Sequence, residues 1–455
     1  MEKTTMKTSK LWHGAWIAAA ATLVTSIAPA SAQTAAPAAA PAAAPAATAA
    51  AAPAPADAPP AGYWINGIHL SAQIEGGVTL APSATSNNFG QLFTDKPNTV
   101  LLNQILLTAN KPLDPKATGF DWGFKLQGMY GSDARYTHFL GELDRTLQNE
   151  RNQLDIVEAN VVFHVPVLFE GGIDIKAGQY PTPLGFETID PSTNPFYSHS
   201  YIFDFGLPFK HTGVLTVSHV SSLLDIYLGL DTGVNTSVGT GGSDPGDNNG
   251  AIALLGGINL TMMGGNLTVL ALTHIGPENP SRTFPAGYNV NGYYRYLNDI
   301  MVTYKATDKL TFVTEMNWIR DDAAVGTAPG KVANAFGVAQ YAAYALSDTV
   351  TLNARAEIYR DDNNLFVAAF AANNGFDLVQ QGFPTPVITA PGSNETYGEI
   401  TLGLTYKPAD LPAPLSGLLF RPEVRFDRSL TSNKVYNGGT DAGAITIASD
   451  VVLTF

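Results

Sequence analysis

The chain contains no cysteine, which excludes a disulfide framework and leaves its stability to other means. Charge is sparse too: Asp, Glu, Lys and Arg make up only 14% of the residues, and 25 basic against 39 acidic side chains give a formal net charge of −14. That balance excludes nucleic acid as a partner, which needs a basic face. Beyond residue 62 there is no apolar run of the ~20 residues that a membrane-spanning helix requires. If this part of the chain crosses a membrane, it must do so as strands. Catalytic signatures are missing as well. His69, His138, His164, His199, His211, His219 and His274 are scattered, and none lies in a G-x-S-x-G or H-E-x-x-H setting or at close metal-ligand spacing. His199, between Ser198 and Ser200, reads best as a hydrogen-bonded loop histidine. No enzymatic activity, metal or cofactor is expected.

What is present begins with an export signal. Lys3, Lys7 and Lys10 precede the apolar segment "WIAAAATLVTSIA", and "APASA" ends at Ala32 with the small residues that a signal peptidase accepts. Residues 1–32 are therefore expected to be a signal peptide. The Ala/Pro tract of residues 33–62 has nothing to bury and reads as a flexible, partly extended linker. Residues 63–455 show no second linker and are expected to form one domain.

In that domain, 43 glycines and 30 prolines across the whole chain suit strands and turns better than helices. The runs alternate with a period of two. In "LLDIYLGLD", Leu224, Ile226, Leu228 and Leu230 oppose Asp225, Tyr227 and Asp231. In "LLFRPEVRFD", Leu418, Phe420, Pro422, Val424 and Phe426 oppose Arg421, Glu423, Arg425 and Asp427. Pro422 requires a bulge or a locally broken pairing there. "LDIVEANVVF" needs a slip of phase at Val157, and the runs near 100–110 and 251–261 alternate poorly.

About sixteen such runs are counted. The connections of one kind are short ("VSS", "MMGG", "ATDK", "LSDT"), whereas those between are long and polar. An even strand count, turns sorted by length and one apolar face describe an all-β fold, a transmembrane antiparallel up-and-down β-barrel. Val451, Leu453 and Phe455 carry the lipid-facing side to the last residue. Tyr63, Trp64, Tyr130, Tyr293, Tyr294, Trp318 and Tyr406, near run ends, are expected in interfacial girdles.

A barrel of this width is not filled by its own side chains, so a water-filled lumen is expected. Lys125, Glu158, Asp174, Lys176, Asp225, Glu315, Arg355, Glu357, Glu399, Arg421, Glu423 and Arg425 fall on inward faces and would line it. Opposed charges of this kind orient small polar solutes, although any one pair could equally be a cross-strand ion pair. The stretch 181–210 is too aromatic for an idle loop: Phe186, Phe196, Tyr197, Tyr201, Phe203, Phe205 and Phe209 require burial. Folded into the barrel mouth, it would form a constriction with Glu187, Asp190, Asp204 and Lys210. Packed over the rim or on a neighbouring subunit, it would be a lid.

The succession "KAGQYPTPLGFE", "NPFYSHSYIF" and "LPFKHTGV" resembles the OmpL-like outer-membrane β-barrel porins over about forty residues, with compatible strands from Tyr63 to Phe455. The resemblance implies a bacterial outer-membrane location and passive transport of ions and small hydrophilic solutes. It further implies contact with outer-membrane lipid, an assembly machinery that reads the terminal Phe455, and a monomeric or homo-oligomeric state. Two rival readings stay open, a plugged structural or adhesive barrel and an outer-membrane enzyme. A TonB-dependent transporter is disfavoured, because only the Ala/Pro tract stands where such a protein has a folded plug.

Overall fold

Side chains that alternate between apolar and polar can satisfy lipid on one side and a polar interior on the other only if the backbone is extended and its hydrogen bonds go to neighbouring strands. The computed structural model of the protein has that organisation. It describes residues 62–84, 87–115, 118–139, 142, 151–238, 246–279, 289–322, 332–362, 365–367 and 394–455. The expected signal peptide and linker lie outside the described residues, apart from Gly62.

A short strand β1 (Tyr63–Ile65) turns through Asn66 and Gly67 into β2 (Ile68–Leu80). Both turn residues have positive φ, 50° and 80°, as a two-residue hairpin turn of the primed type requires. The strands that follow are β3 (Val100–Lys111), β4 (Asp121–Gly131), β5 (Gln153–Val165), β6 (Ile173–Pro181), β7 (Lys210–His219) and β8 (Leu224–Asp231). Then come β9 (Ala253–Met262), β10 (Leu267–Gly276), β11 (Arg295–Lys305), β12 (Leu310–Asp321) and β13 (Ala333–Ala345). The series ends with β14 (Val350–Asp361), β15 (Glu395–Tyr406), β16 (Gly417–Ser429) and β17 (Gly443–Thr454). From β2 to β17 each strand pairs antiparallel with the next, and β17 pairs with β2, closing a barrel of sixteen strands. The backbone of Phe455 exchanges two hydrogen bonds with Ala72 at 2.6 and 2.8 Å. Loops 1 to 8 denote the connections at the long-loop end; loop 3 joins β6 to β7 and loops 4 and 5 follow β8 and β10.

The alternation read from sequence is the alternation of exposure. On β8, Ile226, Leu228 and Leu230 face outward and exposed, whereas Tyr227 and Asp231 are buried inside. On β16, Phe420, Val424 and Phe426 face outward and Arg421, Glu423, Arg425 and Asp427 inward. Tyr63, Trp64, Tyr130, Tyr294, Tyr406 and Phe455 are exposed.

Irregularities fall where the pattern faltered. The pairing of β4 with β5 shifts so that Gln127 opposes Glu158 and Gly128 opposes Ile156; Val157 is the extra residue of a bulge. A second bulge leaves Asn103 unpaired between Leu102 and Gln104, which explains the poor alternation of β3. At Pro422 the β15–β16 pairing lapses between Gly403↔Glu423 and Tyr406↔Phe420 and resumes in step. The proline therefore produces a broken pairing, not a bulge.

An outward apolar position should reject charge. Leu228→Arg is expected to cost up to ~2–4 kcal/mol in lipid vesicles, measured by urea unfolding. The inward Asp225→Asn should be far milder.

Candidate functional site

Loop 3 runs inside the barrel. Its seven aromatic residues are all buried, and Phe186, Tyr201, Phe203, Phe205 and Phe209 join one apolar cluster with inward side chains of the wall such as Leu215, Tyr227, Leu270, Met301 and Val313. Tyr201 stacks on Tyr397 with ring centres 5.1 Å apart, and its hydroxyl donates to Asp427 Oδ1 at 3.0 Å. The wall makes room with glycine. A Cβ at Gly77 would lie 2.5 Å from the Tyr197 ring, and one at Gly337 would lie 2.3 Å from Ile202.

Little of loop 3 is regular: a 3-10 turn at Pro191–Thr193 and a π turn at Ile202–Gly206. Most of its backbone polar groups must therefore find partners elsewhere or carry a desolvation cost. Charged side chains of the wall are those partners. Arg421 Nη1 donates to the carbonyls of Pro191 and Asn194 at 2.6 and 2.7 Å. Arg355 Nη1 donates to Ser198 O at 2.8 Å, and Arg425 Nη1 donates to His199 O. Carboxylates take the N–H groups. Glu423 Oε2 accepts from Tyr197 N at 2.8 Å, while Glu357 accepts from Tyr201 N at 2.6 Å and Ile202 N at 2.8 Å. Glu315 accepts from Phe186 N at 3.3 Å.

The residues expected to line a wet lumen thus divide into two groups. Glu315, Arg355, Glu357, Glu399, Arg421, Glu423 and Arg425 are buried beneath loop 3, with Arg355 paired to Glu399 at 2.7 Å and Arg421 paired to Asp450. Toward the short-turn end, a second group keeps partial exposure. Lys125, with 34% of its side chain exposed, pairs with buried Glu158 at 2.5 Å. Asp174 binds His164 at 2.7 Å and His219 at 3.4 Å, and Asp225 binds His219 at 2.9 Å. Lys176 lies half-buried near the Tyr180 ring.

The four charged residues expected at a constriction are brought inside the barrel or to its wall, with their polar atoms largely engaged. Glu187 pairs with Arg355 at 2.6 Å and His199 at 2.8 Å. Burial alone would raise its pKa, but Arg355 and His199 draw it down to about 2. Asp190 caps the 3-10 turn through Ser192 N at 2.9 Å and accepts from Gln73 Nε2 at 3.0 Å. Asp204 accepts from Leu92 N at 3.3 Å; its Oδ1 has no hydrogen-bond partner among the described residues, and burial pushes its pKa up to about 7. Lys210, at the foot of the loop, donates to Asp155 at 2.6 Å and 2.8 Å.

Some participants escaped the sequence reading. Asp155, Asp427 and Asp450 receive cations, yet only the strand phase marked them as inward. His211, Asp231 and His274 come from three strands and meet at the long-loop end; no local spacing reveals that.

The family model described as "Putative beta-barrel porin-2, OmpL-like" matches residues 67–455. The chain belongs to this family. It is an outer-membrane porin. Solved structures with the same fold include OmpF of Salmonella typhi in complex with daunomycin, at TM-score 0.53 and 10% identity over 85% of this chain and 97% of that one. The anion-selective porin from Comamonas acidovorans has TM-score 0.51 and 10% identity, covering 85% of this chain and 99% of its own. The outer membrane channel DcaP of Acinetobacter baumannii has TM-score 0.50 and 13% identity, covering 87% and 100%. At these identities the likeness to the porin is one of fold. No curated protein sequence matches it.

Two loop carboxyls give the porin opposite pH dependences. Asp204 keeps its proton up to about 7 when folded but releases it near the ordinary 3.8 when unfolded. The unfolded state therefore binds fewer protons in between, and stability falls as pH rises through that window. Glu187 contributes fully above its ordinary 4.5, and that contribution is lost as pH falls toward about 2. Asp204→Asn is expected to raise the urea midpoint at pH 8 and to change it little at pH 4.

Proposed function

We propose that this porin passes ions and small hydrophilic solutes by passive diffusion and that loop 3 sets the narrowest part of the path. The observation supporting this is the anchoring of loop 3 inside the barrel by Arg355, Arg421, Arg425, Glu357 and Glu423. In this reading those residues, with Glu187, Asp190, Asp204 and Lys210, fix the position of the constriction. The half-exposed Lys125, Lys176, Asp174 and Asp225 meet the passing solute, with Glu158 holding Lys125 in place. In this reading His199, whose Nδ1 lies 2.8 Å from Glu187 Oε2, serves to hold the loop, and no covalent chemistry is assigned to it.

The same reading has residues 1–32 removed on export, residues 33–62 as a spacer, and residues 63–455 as the barrel in contact with outer-membrane lipid. The assembly machinery recognises Phe455, and like subunits associate through the outward face. The burial of the three arginines also favours a second reading, a structural or adhesive barrel that loop 3 keeps plugged.

Conductance in a planar bilayer under a salt gradient separates the two. Stepwise ohmic openings are expected from the wild type, with several-fold larger steps from Arg355→Ala/Arg421→Ala, which frees loop carbonyls. Lys125→Gln/Lys176→Gln should move the reversal potential toward cation preference, and an unmoved potential would remove those lysines from the path. Silence from a folded wild type would favour the plugged reading.

A further inference from the structure

His211 at the start of β7, Asp231 at the end of β8 and His274 near the end of β10 lie together inside the long-loop end of the barrel, all three buried. Asp231 bridges the two rings. Its Oδ2 is 3.2 Å from His211 Nδ1, and its Oδ1 is 2.9 Å from His274 Nε2. One donor atom from each residue falls within 4.8 Å of the others, whereas a tetrahedral zinc ion with ~2.0–2.1 Å bonds holds its ligand atoms ~3.3 Å apart.

The outer ring atom of His211 is arranged as around a metal, and that of His274 faces a carboxylate without bonding it. A ligating imidazole commonly gives its second N–H to a hydroxyl, carbonyl or carboxylate, which fixes its tautomer. Here His211 Nε2 lies 3.0 Å from Thr182 Oγ1, and His274 Nδ1 lies 3.7 Å from Glu278 Oε1. Glu278 is itself buried, with Oε2 held by Val234 N–H at 2.7 Å. Among the described residues, His211 Nδ1, His274 Nδ1 and Glu278 Oε1 are buried without a hydrogen-bond partner. The neighbouring guanidinium of Arg295 is paired with Asp321 at 2.8 Å. Two carboxylates and two imidazoles are thus buried together, a set whose charge a divalent ion balances.

We propose that His211, Asp231 and His274 bind one divalent transition-metal ion of the zinc type, through His211 Nδ1, Asp231 carboxylate oxygen and His274 Nε2, with Thr182 orienting the His211 ring and the buried Glu278 carboxylate adding negative charge beside His274. The ion's place is at the foot of loop 3. Thr182 N–H donates to Phe209 O at 2.9 Å, so the two ends of the loop meet beside His211. A bound ion ties that foot to β8 and β10.

The test is zinc content. The whole protein, folded in detergent with zinc sulfate and then dialysed, is expected to retain one zinc per chain by mass spectrometry. His211→Gln/His274→Gln should retain none, and His164→Gln, altered at the other end of the lumen, should retain as much as the wild type. A wild type that retains no zinc, or a double variant that retains an equal amount, overturns the proposal and leaves a metal-free His–Asp–His cluster. Should the double variant fail to fold, cobalt(II) added to the wild type decides: visible d–d absorption bleached by zinc supports the site, and its absence overturns it.

Discussion

A polypeptide segment drawn into a closed barrel leaves water behind but keeps its N–H and C=O groups, and each needs a partner. Loop 3 is too irregular to supply these partners from within. The wall supplies them, with arginines turned to the loop's carbonyls and glutamates to its N–H groups. Such bonds to ionised groups are stronger than neutral ones. The position of the loop and the burial of the charges both follow from this exchange. It also explains why so many charges sit on β14, β15 and β16. Without the loop they would lie in water as ordinary ion pairs; with it they are buried, and truncating either partner strands the other.

Much of the barrel was legible in the sequence because lipid and lumen impose opposite polarities on successive residues. Val157 shows how fine that signal is: one residue out of phase marked a bulge that the pairing of β4 and β5 contains. The aromatic excess of loop 3 likewise announced burial. What could not be read is which atoms meet. Arg421 and Pro191 are 230 positions apart, and an inward arginine looks the same in sequence whether it faces water or a carbonyl. The same limit hid the meeting of His211, Asp231 and His274, since lumenal neighbours across three strands leave no spacing to recognise. The β1 hairpin escaped for a different reason. Its Asn66-Gly67 signal is clear, but a three-residue strand is too short to show alternation.

The lumen that results is uneven along its axis. Its long-loop half is filled by the aromatic cluster around Tyr201 and Phe203, while charged groups near the short turns, among them Lys125 and Asp174, retain contact with solvent. In a porin, discrimination between solutes belongs to the narrowest element and the field beside it. In the proposed reading the narrow element is loop 3, held by wall charges and, at its foot, by the Thr182–His211 contact. In that reading its docking couples the stability of the barrel to the properties of the passage.

Hydrogen exchange tests that docking most directly. In the folded protein, the amides of Tyr197, Ser198, Tyr201 and Ile202, which donate to Glu423 and Glu357, should be protected nearly as well as those of the neighbouring strands β14 and β16. Exchange of these four amides at the rate of an unstructured loop, with the strands still protected, would contradict the account.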